Sequence, residues 1–197
     1  MNKNTIMLAK DFQSSFLSVE KDTETILRKL FIESQPYSDQ LKRLLVINTK
    51  DCLDAKDSEV YNNIIQNTTI KTLQEDGYIT LIPKIKFPEH EEVKTYIIIS
   101  FDTYAPNATN PQFRDCIINF DIVCHTDCWD LGNFRQRPFK IAGYIDGILN
   151  NSKLSGIGTL QFAGLNLLSL NQNLSGYVLS YYAIHGSDDR IPNHNNG

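Results

Sequence analysis

Apolar residues in the first third of the chain recur with a helical period. Residues 21–34, KDTETILRKLFIES, and residues 37–47, YSDQLKRLLVI, each carry one apolar face. A looser stretch over residues 57–77 holds Ile64 and Ile65 before a turn at Asp76-Gly77. The pattern therefore predicts two helices and a short third one. The residues predicted to be buried by the first two helices are Ile26, Leu27, Leu30, Phe31, Leu41, Leu44 and Leu45.

From about residue 76 the pattern changes to period two. In residues 116–125, CIINFDIVCH, apolar positions alternate with mostly polar ones, which is typical of a half-buried β-strand. The preceding run at residues 94–106, KTYIIISFDTYAP, is joined to it by the loop PNATNPQ. These two strands are therefore predicted to form an antiparallel hairpin with a long tip.

Four further segments complete the predicted elements. Residues 77–87, GYITLIPKIKF, are an edge-strand candidate interrupted by Pro83. Residues 158–170 are predicted to form a strand in which Gly164 marks a bulge or a close approach, and residues 174–186 a closing strand. Between the hairpin and these two strands, RPFKIAGYIDGILNN predicts a helix with a proline in its first turn. Its predicted buried face is Phe139, Ala142, Ile145, Ile148 and Leu149.

This order of elements predicts an α+β fold. We expect an antiparallel sheet of about four to five strands with helices packed on one face. The chain of 197 residues is expected to form a single domain over residues 1–186. That domain has a helical part at about 1–75 and a β-rich part at about 76–186, followed by a flexible tail at 187–197.

Several residues in the β-rich part point to a subunit interface. The last strand is apolar on both faces, with Tyr181 on one and Tyr182 on the other, which is typical of a strand central in a sandwich or covered by another subunit. Gly143 and Gly147 lie four residues apart on the helix and favour close approach of a backbone, from either the chain's own sheet or a neighbouring subunit. Asn107 lies at the tip of the long hairpin loop.

Composition narrows the class of protein. Hydrophobic residues make up 41% of the chain and charged residues 21%, as in soluble globular proteins. No run approaches 18 apolar residues, so we expect no membrane span. A net charge of −4 argues against a groove that grips nucleic acid through its phosphates.

The cysteines raise the question of a metal site. Three of the four lie within residues 116–128 beside His125. Cys116 and Cys124 are roughly 26 Å apart along a strand with a rise of about 3.3 Å per residue, too far to share an ion. Cys124, His125 and Cys128 remain as a local cluster, but no second pair of ligands follows elsewhere. The sequence therefore favours reduced, buried cysteines, with no metal and no cofactor.

Catalytic motifs are absent from the sequence: it has no GxSxG, HExxH, P-loop or GxGxxG. A metal-dependent nuclease is the alternative function, in which Asp121 on the hairpin strand and Asp146 on the following helix would share metal ions. We favour the interpretation that both are solvated surface residues and that the chain has no catalytic residue. The aspartates in the β-rich part are Asp102, Asp121, Asp127, Asp130 and Asp146.

The layout from about residue 80 to 186 resembles the tail terminator and head–tail joining proteins of tailed bacteriophages. The segments that carry the resemblance are the strand IINFDIVCHT, the helix RPFKIAGYIDGILNN and the closing strands GTLQFAGLNLL and GYVLSYYAIHG. Within these segments, the residues that match the family's pattern are 120–125, 142–149, 160–162 and 177–184. These motifs are patterns of residue type and include no catalytic group.

The resemblance implies a structural, non-enzymatic role in the virion. Such proteins form rings, typically of six subunits, that terminate the tail tube and join it to the head connector or stopper protein. The partners implied are other copies of the chain, the tail tube protein and the connector, assembled in the host cytoplasm. DNA would pass through the ring without specific binding, which suits an acidic chain. Family members commonly pass quickly from the first helix to the first strand, whereas about 45 residues lie between the first helix and GYITLI here. The chain is therefore expected to be either the terminator itself or a related neck or connector protein.

Overall fold

The computed structural model describes residues 19–54, 59–81, 92–108 and 114–185. Within them the chain forms five α-helices, a five-stranded sheet and a separate two-stranded one. The helices are α1 (Val19–Arg28), which continues into a π-helical turn (Lys29–Glu33), α2 (Tyr37–Val46), α3 (Glu59–Asn67), α4 (Ile70–Glu75) and α5 (Arg137–Leu149). The strands are β1 (Ile79–Thr80), β2 (Thr95–Pro106), β3 (Arg114–His125), β4 (Lys153–Leu154), β5 (Gly158–Thr159), β6 (Gln161–Ser169) and β7 (Leu174–His185).

The predicted α+β class is confirmed, and so are the first two helices. All seven apolar residues assigned to the inner faces of these two helices are buried, none more than 4% exposed, and two of them, Leu30 and Phe31, lie in the π-helical turn. The looser third stretch forms two short helices, of which α3 buries Ile65 and α4 buries Leu73. Thr69 caps α4, since its hydroxyl accepts a hydrogen bond from the amide of Thr72.

The five strands lie in the order β1-β2-β3-β7-β6. Every neighbouring pair is antiparallel except β1 with β2, which is parallel. The hairpin of β2 and β3 is confirmed, and so is the bulge at Gly164, where the register of β6 against β7 shifts. Of the predicted strand over residues 77–87, the structure describes residues 77–81, of which Ile79–Thr80 form a strand. Residues 82–91, the tail at 187–197 and residues 1–18 of the helical part lie outside the described residues.

One face of the sheet packs against the helices. The cysteine-bearing parity of β3 points into this core, as predicted, and none of its five residues is more than 1% exposed. α5 lies over β3 and β7. Its buried face differs from the prediction at one position, because Phe139 is 46% exposed while Ile141 is fully buried. Pro138, Ile141, Ala142 and Ile145 follow the i, i+3, i+4, i+7 spacing of one helical face, and Phe139 lies beside it.

The other face of the sheet carries no described helix. Its central residues are Asn119 and Asp121 on β3, with Val178 and Ser180 opposite them on β7. The hydroxyl of Ser180 donates to Oδ1 of Asn119 at 2.7 Å. The apolar last strand, β7, is an interior strand of the sheet, between β3 and β6.

A buried arginine fixes α5 to the helical part of the chain. Arg137 is 0% exposed, and its guanidinium donates to the carbonyls of Leu44 and Ile47 at 2.6 and 2.8 Å and to that of Thr49 at 2.9 Å. Its Nε donates to the carbonyl of Cys128 at 2.6 Å. Carbonyls at the end of a helix have no partner within it, so Arg137 satisfies the C-terminal end of α2 and holds α5 against it.

None of the described helices has the length and apolar character that crossing a membrane requires.

Candidate subunit interface

The outward face of α5 forms one wall of an open groove of about 830 Å³. Its lining is largely aromatic, and the rings of Tyr37 on α2 and Tyr144 on α5 lie 5.9 Å apart at one side. We call this surface the α5 groove. Its lining residues are Tyr37, Phe134, Arg135, Gln136, Phe139, Lys140, Gly143, Tyr144 and Gly147.

Both glycines predicted for close approach lie in the α5 groove. A Cβ atom added at Gly143 or at Gly147 would meet no atom within 4 Å. Of the two alternatives, approach of the chain's own sheet is therefore wrong, because the glycines face away from it. The floor of the groove is bare helix backbone, into which another backbone could pack closely.

Phe134, in the groove, is the most exposed large hydrophobic residue of the described chain, with a relative exposure of 106%. It lies in a turn where Gly132, Asn133 and Phe134 all have positive φ, at 72°, 52° and 62°. A bulky residue in the left-handed region is a genuine outlier. The turn is held by Asp130, whose carboxylate accepts the amide of Gly132 at 2.8 Å, and by hydrogen bonds between Leu131 and Arg135. The chain thus fixes a large apolar ring in solvent.

Positive charge lies along the same groove. Arg135 and Lys140 line it. The Arg135 guanidinium donates two hydrogen bonds to the carboxylate of Asp54, at 2.8 and 2.5 Å, and this contact raises the arginine's pKa. The pair ties the turn that carries Phe134 to the loop after α2. Lys140 is exposed, so it can contact an acidic partner.

The two tyrosines of β7 have opposite environments. Tyr181 is 0% exposed, and its hydroxyl donates to Oδ1 of Asp146 at 2.8 Å. The prediction that Tyr181 contacts another subunit is therefore wrong. β7 is an interior strand, and its face that carries Tyr181 packs under α5. Tyr182 is 55% exposed on the other face. Asn107 is half-buried, and its amide donates to Asp115 at 2.7 Å across the base of the hairpin loop. Residues 109–112 of that loop lie outside the described residues.

The aspartates of the alternative nuclease site are not brought together. Asp121 pairs with Val178 on the face of the sheet away from the helices. Asp146 contacts Tyr181 on the helix-covered face, so the sheet itself separates the two carboxylates. Burial raises the pKa of Asp121, which a fully solvated strand position would not show.

The cysteines lie in the core, as the strand pattern predicted. All four are free and none is more than 1% exposed. Cys128 Sγ lies 3.5 Å from Thr95 Oγ1 and 3.3 Å from the carbonyl of His125. His125 turns its Nδ1 to the amide of Asp127 at 3.1 Å. Over the described part of the chain, no three His, Cys, Asp or Glu side chains converge as they would around a metal ion.

The aromatic lining of the groove was not predicted from the sequence. Tyr37 belongs to a helix 100 residues earlier than α5, so their proximity is a product of the tertiary fold. The signal available for Phe134 was the segment LGNFR, where glycine and asparagine before an aromatic residue favour left-handed turn conformations.

A family model described as YomW matches residues 38–183 of the chain. The matched segment begins in α2 and ends in β7, so it contains α5 and the five-stranded sheet except the last two residues of β7. No curated protein matches the chain.

Proposed function

The chain belongs to the YomW family, which is phage-derived, and from this premise we propose that it is a structural protein of the neck or tail of a tailed phage. In this role it forms a ring, with six subunits expected, that terminates the tail tube and joins it to the head connector. The chain is not an enzyme in this proposal, and its place is the virion.

The observation that carries the proposal is the α5 groove. Phe134 is held fully in solvent by a strained turn, and the bare backbone at Gly143 and Gly147 lies beside it. Strained backbone persists where the surrounding structure over-determines it, and it concentrates at functional positions. Convergent acidic groups are what an enzyme of the nuclease type would need, and the described chain separates Asp121 from Asp146 instead. An assembly role uses apolar surface without convergent catalytic groups.

The charge balance supports the same role. The chain has 19 Lys and Arg against 23 Asp and Glu, which gives a net charge of −4. A channel through which DNA moves must not bind phosphate, and an acidic ring meets that condition. Lys140 lies exposed in the groove, where contact with an acidic neighbour would be favourable, whereas Arg135 beside it is already paired with Asp54.

The test is assembly of the full chain with tail tubes purified from the corresponding phage. Electron microscopy is expected to show a ring of the protein at one end of each tube. Phe134→Asp is expected to reduce ring formation strongly, while Val60→Asp, at a residue of α3 that is 66% exposed, serves as the matched control and leaves it intact. A wild-type chain that stays monomeric and never binds tube ends overturns the proposal.

A further inference from the structure

Strand β6 forms an open edge of the five-stranded sheet. It pairs with β7 on one side, and on its other side no strand of the described chain pairs with it. The start of the strand is closed off, because the amide of Phe162 donates to Oδ1 of Asn150 at 3.2 Å. From Gly164 to Ser169 the outward amides and carbonyls form a row that an additional strand would satisfy.

Beyond the register shift between Phe162 and Gly164, this edge lacks the devices that protect sheet edges. The sequence of β6, QFAGLNLLS, contains no charged residue and no proline. The opposite side of the sheet does have them: β1 covers Ile97 and Ile98, and β2 then carries Asp102, a register shift and a terminal Pro106. Charges, prolines and irregularities of this kind prevent edge-to-edge association. The described sheet is therefore guarded at one edge and unguarded at the other.

Apolar side chains continue the open edge onto the neighbouring surface. Leu167 is 70% exposed and pairs with Tyr177 of β7, whose ring lies 4.4 Å from that of Phe139, itself 46% exposed. Phe162, also on β6, is 50% exposed. A single surface thus combines unpaired main-chain groups with exposed apolar side chains, which is the combination that strand addition buries.

We propose that the free protein is a two-fold dimer in which β6 of one copy pairs antiparallel with β6 of a second copy. The outward main-chain groups require an extended strand as partner, and burial beside Leu167 requires that this strand be uncharged. The chain's own β6 meets both conditions. Because the other described edge is guarded, the contact is between the same edge on each copy, and a two-fold axis relates them.

The register can be assigned from the side chains. With the axis at Asn166, Leu165 of each copy lies opposite Leu167 of the other, on the face that α5 covers. The two Asn166 side chains meet on the opposite face. Leucine pairs and an amide pair across an antiparallel ladder are mutually favourable. The two five-stranded sheets become one continuous sheet, and both unguarded edges are covered at once.

This dimer does not rest on the proposed role in the phage neck. A two-fold contact closes on itself and cannot propagate into a ring, so ring contacts must use other surfaces, such as the α5 groove. The dimer is instead a soluble form that keeps the edge from indiscriminate association before assembly.

The test is the mass of the full chain in solution by size-exclusion chromatography with light scattering, over at least a hundredfold range of concentration. Wild-type protein is expected at twice the monomer mass. Leu167→Lys is expected to raise the dimer dissociation constant at least tenfold. Val60→Lys makes the same kind of change at a residue of similar exposure, 66% against 70%, and is expected to remain a dimer. Circular dichroism checks the fold of each variant, and Asn166→Lys replaces Leu167→Lys if the latter does not fold.

A second variant tests the register. Asn166→Cys is expected to form a disulfide-linked dimer under mild oxidation, whereas wild-type protein, whose four cysteines are buried, forms none. A wild-type monomer at every concentration overturns the proposal, and so does a dimer that a folded edge-lysine variant leaves intact. Dimerisation without crosslinking of Asn166→Cys overturns the register. The presence or absence of rings in electron microscopy tests only the proposed role in the phage neck. The dimer and that role can therefore be disproved independently.

Discussion

Arg137 shows how much a single side chain contributes to this fold. Four main-chain carbonyls, from two segments of the chain, share one fully buried guanidinium. No other side chain supplies donors in this planar arrangement. Its loss would leave several buried carbonyls without a partner, and each such group costs about 1–3 kcal/mol.

We therefore expect Arg137→Met to lower the free energy of unfolding by about 3–5 kcal/mol. Arg137→Lys retains the charge and three donors, and is expected to lose less. The measurement is urea unfolding followed by circular dichroism. Lys71→Met is the control, because the Lys71 side chain is 80% exposed and its replacement should change stability by at most about 0.5 kcal/mol. An unchanged urea midpoint for Arg137→Met would contradict the role of Arg137 in holding α5 against α2.

Asp121 is expected to oppose folding at neutral pH. Burial raises its pKa above that of the unfolded chain, so the native state binds the proton more readily. The stability it contributes is therefore fully present below the unfolded carboxyl pKa of about 3.9 and is lost as pH rises through the higher native pKa. Asp121→Asn should raise the urea midpoint at pH 7 and flatten the pH dependence above about 3.9, the ordinary carboxyl pKa.

The opposite sign is expected at Asp130. A hydrogen bond from Lys50 lowers its pKa, so its contribution is present at neutral pH and is lost as pH falls. Asp130→Asn should not raise the midpoint at pH 7, which makes it the control for Asp121→Asn. A lower midpoint for Asp121→Asn would show that its carboxylate has a favourable partner in the native protein.

The thiols are expected to be inert in the native protein. Burial raises the pKa of both Cys116 and Cys124 to about 12, and the thiolate is the reactive form. At pH 8 a thiol-specific chromogenic reagent should react slowly with native protein and at once with all four cysteines after denaturation. Rapid reaction of a native thiol would show that a strand opens locally.

At the scale of elements, α5 links stability to assembly. Glycine inside a helix costs about 0.5–1 kcal/mol relative to alanine, and a Cβ at Gly143 or Gly147 meets nothing in the chain itself. Gly143→Ala and Gly147→Ala should therefore each raise the free energy of unfolding by about 0.5–1 kcal/mol. If a neighbouring backbone packs against the helix at Gly143 and Gly147, the same variants should reduce the number of rings seen by electron microscopy.

A contrasting glycine provides the control for those variants. A Cβ at Gly176 on β7 would lie 1.7 Å from the carbonyl oxygen of Ile122, so Gly176→Ala must displace a strand and should destabilise strongly. If Gly143→Ala and Gly147→Ala raise the free energy of unfolding and leave ring assembly unchanged, no neighbouring backbone packs on these two glycines. Chemical denaturation of the three variants under one set of conditions measures the stabilisation expected at Gly143 and Gly147 and the destabilisation expected at Gly176.

Regular elements could be predicted because each has a periodic signal in its own residues. The alternation through Cys116 and Cys124 placed β3 and its buried face, and leucines at helical spacing placed α2. Where the signal was weaker the prediction failed: Phe139 is apolar and sits on α5, yet the neighbouring face packs better against the sheet. The parallel pairing of β1 with β2 depends on how distant segments meet, which local periodicity does not encode.

The candidate site was predictable only in part for the same reason. Gly143 and Gly147 stand out within one helix, so the sequence alone singles them out. The face on which Tyr181 lies follows from the position of β7 inside the sheet, which no local pattern distinguishes from an outer strand. The aromatic side of the groove comes from α2 and from a turn with positive φ, neither of which shares a period with α5.

For the whole molecule, the proposed ring predicts different outcomes for adjacent residues of one strand. Tyr182 is exposed on the face without described helices, so Tyr182→Asp should preserve the fold and weaken the ring if this face meets a neighbour. Tyr181→Asp places a charge in the core beside Asp146, and should unfold the protein rather than merely separate subunits.

Asn107→Asp distinguishes the hairpin loop from the sheet as a contact. Its amide donates to Asp115, and a carboxylate there would repel that residue, so the base of the loop should loosen while the sheet stays intact. We expect a milder loss of rings than for Tyr182→Asp. Circular dichroism and light scattering, recorded on the same samples, separate loss of fold from loss of assembly. A folded Tyr182→Asp that assembles as wild type, beside an Asn107→Asp that does not, would place the ring contact at the hairpin tip and leave the open face for the tube or the connector.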